Sequence, residues 1–164
     1  MIKIGLIYEE KSDNDAAIRQ YEAAKALDEA NCKVYQHIAW VNFKQKKMQD
    51  AINMAKTAML QAPETSQSES LYITGRCHFE LNDFATAQDF FKQAMNANDT
   101  EAVYACSLAI AQYMANNFTD AFDNIIKASV KDPNIREIWY NLGILYERCK
   151  QQDEALIAYS KVID

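Results

Sequence analysis

Small apolar residues recur along this chain in a fixed phase. Ala17, Ala51, Ala87, Ala121 and Ala155 stand 34, 36, 34 and 34 residues apart. Tyr21, Ala55, Phe91, Ile125 and Tyr159 follow four residues later, and Ala24, Ala58, Ala94, Ala128 and Val162 seven residues later. Twelve residues before each alanine stands Gly5, Ala39, Gly75, Ala109 or Gly143. Between these landmarks the apolar positions keep helical spacing in two segments per unit, broken by a short polar turn. The pattern predicts one all-α domain of about five helix–turn–helix repeats, with units about 1–31, 32–67, 68–101, 102–135 and 136–164.

Local signals support that division. Asp13, Asp83 and Asn117 each fall four residues before their alanine and are expected to cap the second helix of a unit. Ser66 with Glu69, and Asn134 with Glu137, have the spacing of a capping box at the start of a first helix. The segment "PETSQSES" at 63–70 carries the two-residue insertion and reads as a longer loop. Glycine inside a helix costs about 1 kcal/mol against alanine, so Gly143 needs a reason. The expected reason is steric: a small residue lets the two helices of a hairpin approach closely.

The last unit carries Trp139, Leu142, Gly143, Tyr146, Ala155 and Tyr159. This resembles the tetratricopeptide repeat (TPR), a 34-residue pattern of W-x2-L-G-x2-Y followed by A-x3-F. Asn42, His78 and Gln112 stand where the pattern has tyrosine, and there the helix contact is expected to be thinner or hydrogen-bonded. The resemblance covers the whole chain and implies a right-handed α-solenoid. Its first unit would be slightly truncated, and no polar capping helix follows the last one, so a segment of a longer protein is expected.

Composition narrows the chemistry. Glycines number three and prolines two, too few for a many-stranded sheet. No apolar run reaches the eighteen residues of a membrane span. The formal net charge is -6, and the acidic excess falls in residues 66–164, so a grip on nucleic acid is not expected. Cys32, Cys77, Cys106 and Cys149 lie far apart without a C-x-x-C, which suggests reduced thiols. His37 and His78 share no metal spacing, and neither a cofactor, a metal nor a small-molecule substrate is expected. His78 is expected in the core and His37 on a polar surface.

The resemblance further implies that the first helix of each unit lines a concave groove. Gln36, His37, Trp40, Phe43, Tyr72, Arg76, Phe79, Ile110, Tyr113, Tyr140, Asn141 and Ile144 would face it. Trp40, Phe43, Tyr72, Phe79, Tyr113 and Tyr140 would form an aromatic stripe, the composition of a protein-binding hot spot. Trp40 and Phe43 lead, because Tyr35 and Ile38 already supply the core of their unit. Two known TPR chemistries lack their residues. The clamp for a chaperone C-terminal carboxylate would need its first lysine at Ile2, Gln36 or Tyr72. An asparagine ladder would need Asn at Lys3, His37, Ile73, Ser107 and Asn141, and only Asn141 complies.

A narrower resemblance rests on Leu145–Tyr146–Glu147–x–Cys149 before a Gln-rich turn and Ala155–Leu156, and on Gly75–Arg76–Cys77. These phrases resemble the TPR arrays of the corepressor that partners the WD40 protein Tup and of UTX-type histone H3 lysine-27 demethylases. That implies a nuclear, non-catalytic scaffold whose groove binds an amphipathic helix or apolar peptide of a transcriptional or chromatin factor. The alternatives are a targeting module of such a demethylase, whose iron site would lie in another domain, and an assembly scaffold of a ciliary or ubiquitin-ligase complex.

Overall fold

The computed structural model describes residues 1–63 and 66–163. Glu64 and Thr65, in the loop expected at 63–70, lie outside the described residues, as does Asp164. Among the described residues ten α-helices follow one another: α1 Ile2–Glu10, α2 Asn14–Leu27, α3 Cys32–Lys44, α4 Met48–Gln61, α5 Ser68–Glu80, α6 Phe84–Ala97, α7 Ala102–Met114, α8 Phe118–Lys131, α9 Arg136–Arg148 and α10 Gln152–Ile163. Among the described residues there is no strand. The fold class is all-α, a solenoid type of about five helix–turn–helix repeats. The chain falls into two compact units, Met1–Asp83 and Phe84–Asp164, each described by itself.

Every hairpin turns in the same way. Ser12, Lys46, Asn82, Asn116 and Lys150 all have a left-handed backbone, with φ of 60° to 62°. The next residue's N–H reaches back five residues, from Asp13 to the Tyr8 carbonyl and from Gln151 to that of Tyr146, both at 2.9 Å. This closes each first helix as a Schellman motif. The residue after the left-handed one then opens the second helix. Asp13 accepts the N–H of Ala16 at 3.0 Å, and Asn117 accepts that of Asp120 at 3.5 Å.

The capping boxes are not formed. α5 starts at Ser68 and α9 at Arg136, and neither has a side-chain cap. Asn134 turns its own N–H to the Asp132 carboxylate at 2.9 Å, which bends the chain before the helix begins.

In the first unit Ala17, Tyr21, Ala24, Val34, Ile38 and Val41 make one core cluster, and Ala39, Phe43, Ala51, Ala55, Ile73 and Cys77 another. In the second, Ala105, Ala109, Ala121, Ile125, Ile138, Leu142 and Ala158 pack together. The phase-locked alanines are the central contacts: Ala17, Ala51, Ala87 and Ala121 are fully buried, and Ala155 nearly so. Gly143 needs no side chain for a more particular reason than backbone approach. A Cβ there would sit 2.6 Å from Cδ1 of the Tyr159 ring.

His78, expected in the core, is half-buried at the end of α5, with Nδ1 3.2 Å from the Asp83 carboxylate. It sits in the last turn of its helix, where the carboxylate beyond the turn draws it outward.

Candidate partner-binding surface

In the first unit, α3 carries Gln36, His37, Trp40 and Phe43, and α5 carries Tyr72 and Arg76. Trp40 meets Phe43 and Tyr72 edge-on, with centroids 5.5 and 5.9 Å apart. Its indole N–H donates to Glu69 at 2.5 Å. The Arg76 guanidinium lies over Phe43 at 5.2 Å and over Tyr72 at 5.8 Å, and donates to the Tyr72 hydroxyl at 3.1 Å. Gln36 Nε2 donates to Ser70 Oγ at 3.1 Å. These side chains satisfy one another.

His37 stacks on Tyr21, with centroids 5.0 Å apart and planes 10° off parallel. Tyr21 donates its hydroxyl to Glu9 at 2.5 Å, and Lys44 pairs with the same carboxylate at 2.7 Å. Burial, and then Glu9, hold the Tyr21 phenol protonated well above its ordinary range. Burial lowers the His37 pKa, against the pull of Glu9 and Glu69.

The expected stripe of exposed rings is therefore uneven. Phe43 and Tyr72 are buried, Trp40, Phe79 and Tyr113 are half-buried, and Tyr140 is exposed. Phe43 and Tyr72 are buried because α3 and α5 close on each other, with Arg76 and Trp40 lying against both rings. Helical periodicity shows which face a residue occupies, not how far its neighbours cover it.

The second unit differs. Between α7 and α9 lies an apolar cavity of about 190 Å³, with Ile125 of α8 at its wall. Ile110 and Tyr113 line it from α7, and Asn141 and Ile144 from α9. Four of the predicted site residues are thus brought to one place. Ala109, Met114, exposed at 47%, and the buried Leu145 complete the lining. None of the three is among the groove residues expected from sequence. Their signal is position: each stands next to a predicted lining residue.

Asn141 is the polar member of the set. Its Nδ2 donates to the Glu137 carbonyl at 2.8 Å and lies 3.8 Å from the Cys106 sulfur. Its Oδ1 receives no donor among the described residues. Tyr140 lies on the same helix, its ring 6.0 Å from that of Tyr159. The site therefore offers an apolar hollow with the Asn141 amide oxygen beside it.

Among the described residues, no group of three His, Cys, Asp or Glu is placed to hold a metal ion. No helix among them is long and apolar enough to cross a membrane.

Comparisons with known proteins agree with this architecture. One tetratricopeptide-repeat model matches residues 1–31 and 137–164, and a second matches 69–100. No curated protein matches by sequence. Among solved structures, MamA is 24% identical, with a TM-score of 0.78 over 98% of this chain and 92% of that one. YrrB, described as a TPR protein with an unusual peptide-binding site, is 18% identical, with a TM-score of 0.69 over 99% and 83%. The Cut9–Hcn1 hetero-tetramer of the APC/C gives a TM-score of 0.86 at 15% identity, over 99% of this chain and 32% of that one. At these identities the likeness is one of fold. Five phased hairpins, their buried alanines and the matching repeat models place this chain in the tetratricopeptide-repeat family.

Proposed function

We propose that this chain is a non-catalytic scaffold that takes one large apolar side chain of a peptide or amphipathic helix into the cavity between α7 and α9. The cavity carries the reading. An apolar hollow of roughly 150 Å³ holds a benzene ring. The 190 Å³ here suits a leucine or phenylalanine side chain. Asn141 Oδ1 stands ready to accept a backbone N–H of the same peptide, so apolar burial supplies affinity and the amide fixes orientation. The description of YrrB as peptide-binding is consistent with that use of the fold.

The test is affinity purification of the full-length protein with identification of what it retains. Ile110→Ser with Ile144→Ser should release the partner while helical circular dichroism is kept. Retention of the same partner by the folded double variant would sink the reading. Trp40→Ala with Tyr72→Ala probes the first unit in the same way.

The class of partner rests on sequence alone. The phrase Leu145–Tyr146–Glu147–x–Cys149 favours a transcriptional or chromatin factor, hence a nuclear protein of the corepressor kind. Localisation of the full-length protein tests this: a ciliary or cytoplasmic position would remove it. A downstream enzyme domain would instead favour the targeting-module alternative.

A further inference from the structure

Gln112 stands where the repeat pattern has tyrosine, and the next repeat shows what that ring does. There Tyr146 of α9 meets Phe122 of α8 edge-on, with centroids 5.0 Å apart. One repeat earlier both rings are missing. Gln112 replaces the tyrosine, and Gln88, thirty-four residues before Phe122, replaces the phenylalanine. The ring lost at position 112 leaves space, because the surroundings collapse only in part; Gln88 does not line that space. Beside Gln112 the structure holds a cavity of about 290 Å³, walled by α6, α7 and α8.

This cavity is unlike the one between α7 and α9, because it is lined with charge. Gln112 is only 2% exposed, and its Oε1 accepts from Asn124 Nδ2 at 2.9 Å. Its own N–H groups have no acceptor among the described residues and remain open to solvent on the cavity side. Lys92 of α6 and Lys127 of α8 stand at its open side, as do Asp120 and Asp123, all four of them exposed. Neither lysine is ion-paired among the described residues. Asp120 is already hydrogen-bonded to Asn117 Nδ2 at 2.7 Å, whereas Asp123 has no such partner among the described residues. Met95 and Leu108 supply the apolar part of the wall.

We propose that this cavity binds a small zwitterion, an α-amino acid with an apolar side chain. Two ammonium groups and two carboxylates stand around the space, so a ligand carrying only one sign of charge is answered by only half of them. A molecule carrying both is matched. Its carboxylate takes the Gln112 N–H with Lys92 and Lys127, its ammonium takes Asp123, and its side chain lies on Met95 and Leu108. The interior of a peptide chain lacks both charges and would leave them unanswered. The sequence points to no small-molecule substrate, and none is implied: the ligand is held and not converted.

Titration of the chain with L-leucine and L-methionine, followed by amide chemical shifts, tests this. Saturable shifts confined to α6, α7 and α8 are expected. N-acetyl-L-leucine lacks the ammonium and L-leucinamide the carboxylate, and each should bind at least about tenfold more weakly, the loss of one charge-assisted contact. Gln112→Tyr puts the ring back into the cavity and should abolish the shifts while the helical spectrum is kept. Lys92→Gln with Lys127→Gln should weaken binding without filling the cavity, and so decides the matter if the tyrosine variant fails to fold. The absence of saturable shifts would overturn the proposal. So would equal binding of N-acetyl-L-leucine, which would mean a carboxylate site only, or undiminished binding by a folded Gln112→Tyr. None of these outcomes depends on capture of a peptide at the α7–α9 cavity.

Discussion

Gly143 and Tyr159 share one volume. A Cβ on Gly143 would lie 2.6 Å from Cδ1 and 2.7 Å from Cζ of the tyrosine ring, closer than atoms can pack. Gly5 stands in the same relation to Tyr21, sixteen residues on, at 2.7 Å from Cζ. Along the sequence, glycine occupies this place where the residue sixteen later is aromatic, and alanine where it is Ala55 or Ile125. The small residue makes room for a ring.

The two pairs should respond differently to a methyl group. Tyr21 is fully buried and its hydroxyl is bound to Glu9, so its ring cannot yield. Gly5→Ala should destabilise by about 1–3 kcal/mol, the usual cost of overpacking. Tyr159 has the matching bond to Glu147, but its ring is only half-buried and can shift toward solvent. For Gly143→Ala the helical gain of about 1 kcal/mol from removing glycine should offset most of the clash. Urea unfolding of both variants measures the difference, and equal costs would contradict the shared-volume explanation.

Five non-glycine residues hold the left-handed turn conformation, and two of them are lysines. Lys46→Gly and Lys150→Gly should each stabilise the chain by about 1 kcal/mol, because glycine adopts that backbone without steric cost. Asn82→Gly and Asn116→Gly should do less, since asparagine tolerates it. Thermal melts of the four variants give the ranking.

The caps make a sharper contrast. Asp13→Ala should cost about 1 kcal/mol, the typical value for a lost N-cap. Asn117→Ala should cost less, given its longer bond of 3.5 Å. Glu137→Ala should stay within roughly 0.5 kcal/mol of wild type, because it caps nothing. A large effect there would restore the capping box read from sequence.

His37 gives the stability a pH dependence. In the folded chain burial lowers its pKa below 6.5, with Glu9 and Glu69 opposing and Lys33 and Lys44 assisting. The unfolded chain therefore takes up the proton first, and stability falls as the pH drops through about 6.5. His37→Gln should flatten that slope in denaturant midpoints measured between about pH 7.5 and pH 5.

Thiol chemistry separates Cys149 from Cys77. Cys149 is exposed, while burial pushes the Cys77 thiol up to about 11. Iodoacetamide at pH 8 should label Cys149 and leave Cys77 unmodified in the folded chain. Mass spectrometry of the tryptic peptides shows which thiol has reacted.

The repeat was legible because a helical hairpin is a local structure. The five alanines, the small residues before them and the polar turns all lie within one unit, and every one of those alanines is buried. The turn backbone was less legible, since Ser12, Lys46 and Lys150 are not residue types that favour a left-handed conformation. The first-helix caps misled because Asn134 spends its backbone on the Asp132 turn. The apolar surface was legible at Ile110, Tyr113 and Ile144, which share one cavity. Phe43 and Tyr72 lie on the same helical face in sequence but are covered by neighbouring side chains, a long-range fact that no period reports.

Peptides displayed on phage and selected against the chain probe the α7–α9 cavity directly and require no natural partner. The selected sequences should share one large apolar anchor, and their binding should be lost on Ile144→Asp, which places a charge in the cavity wall, while Glu154→Lys, at an exposed position of α10 outside the lining, leaves it intact. Selected peptides that bind the folded Ile144→Asp chain as well as wild type would place the partner surface elsewhere and contradict the assignment.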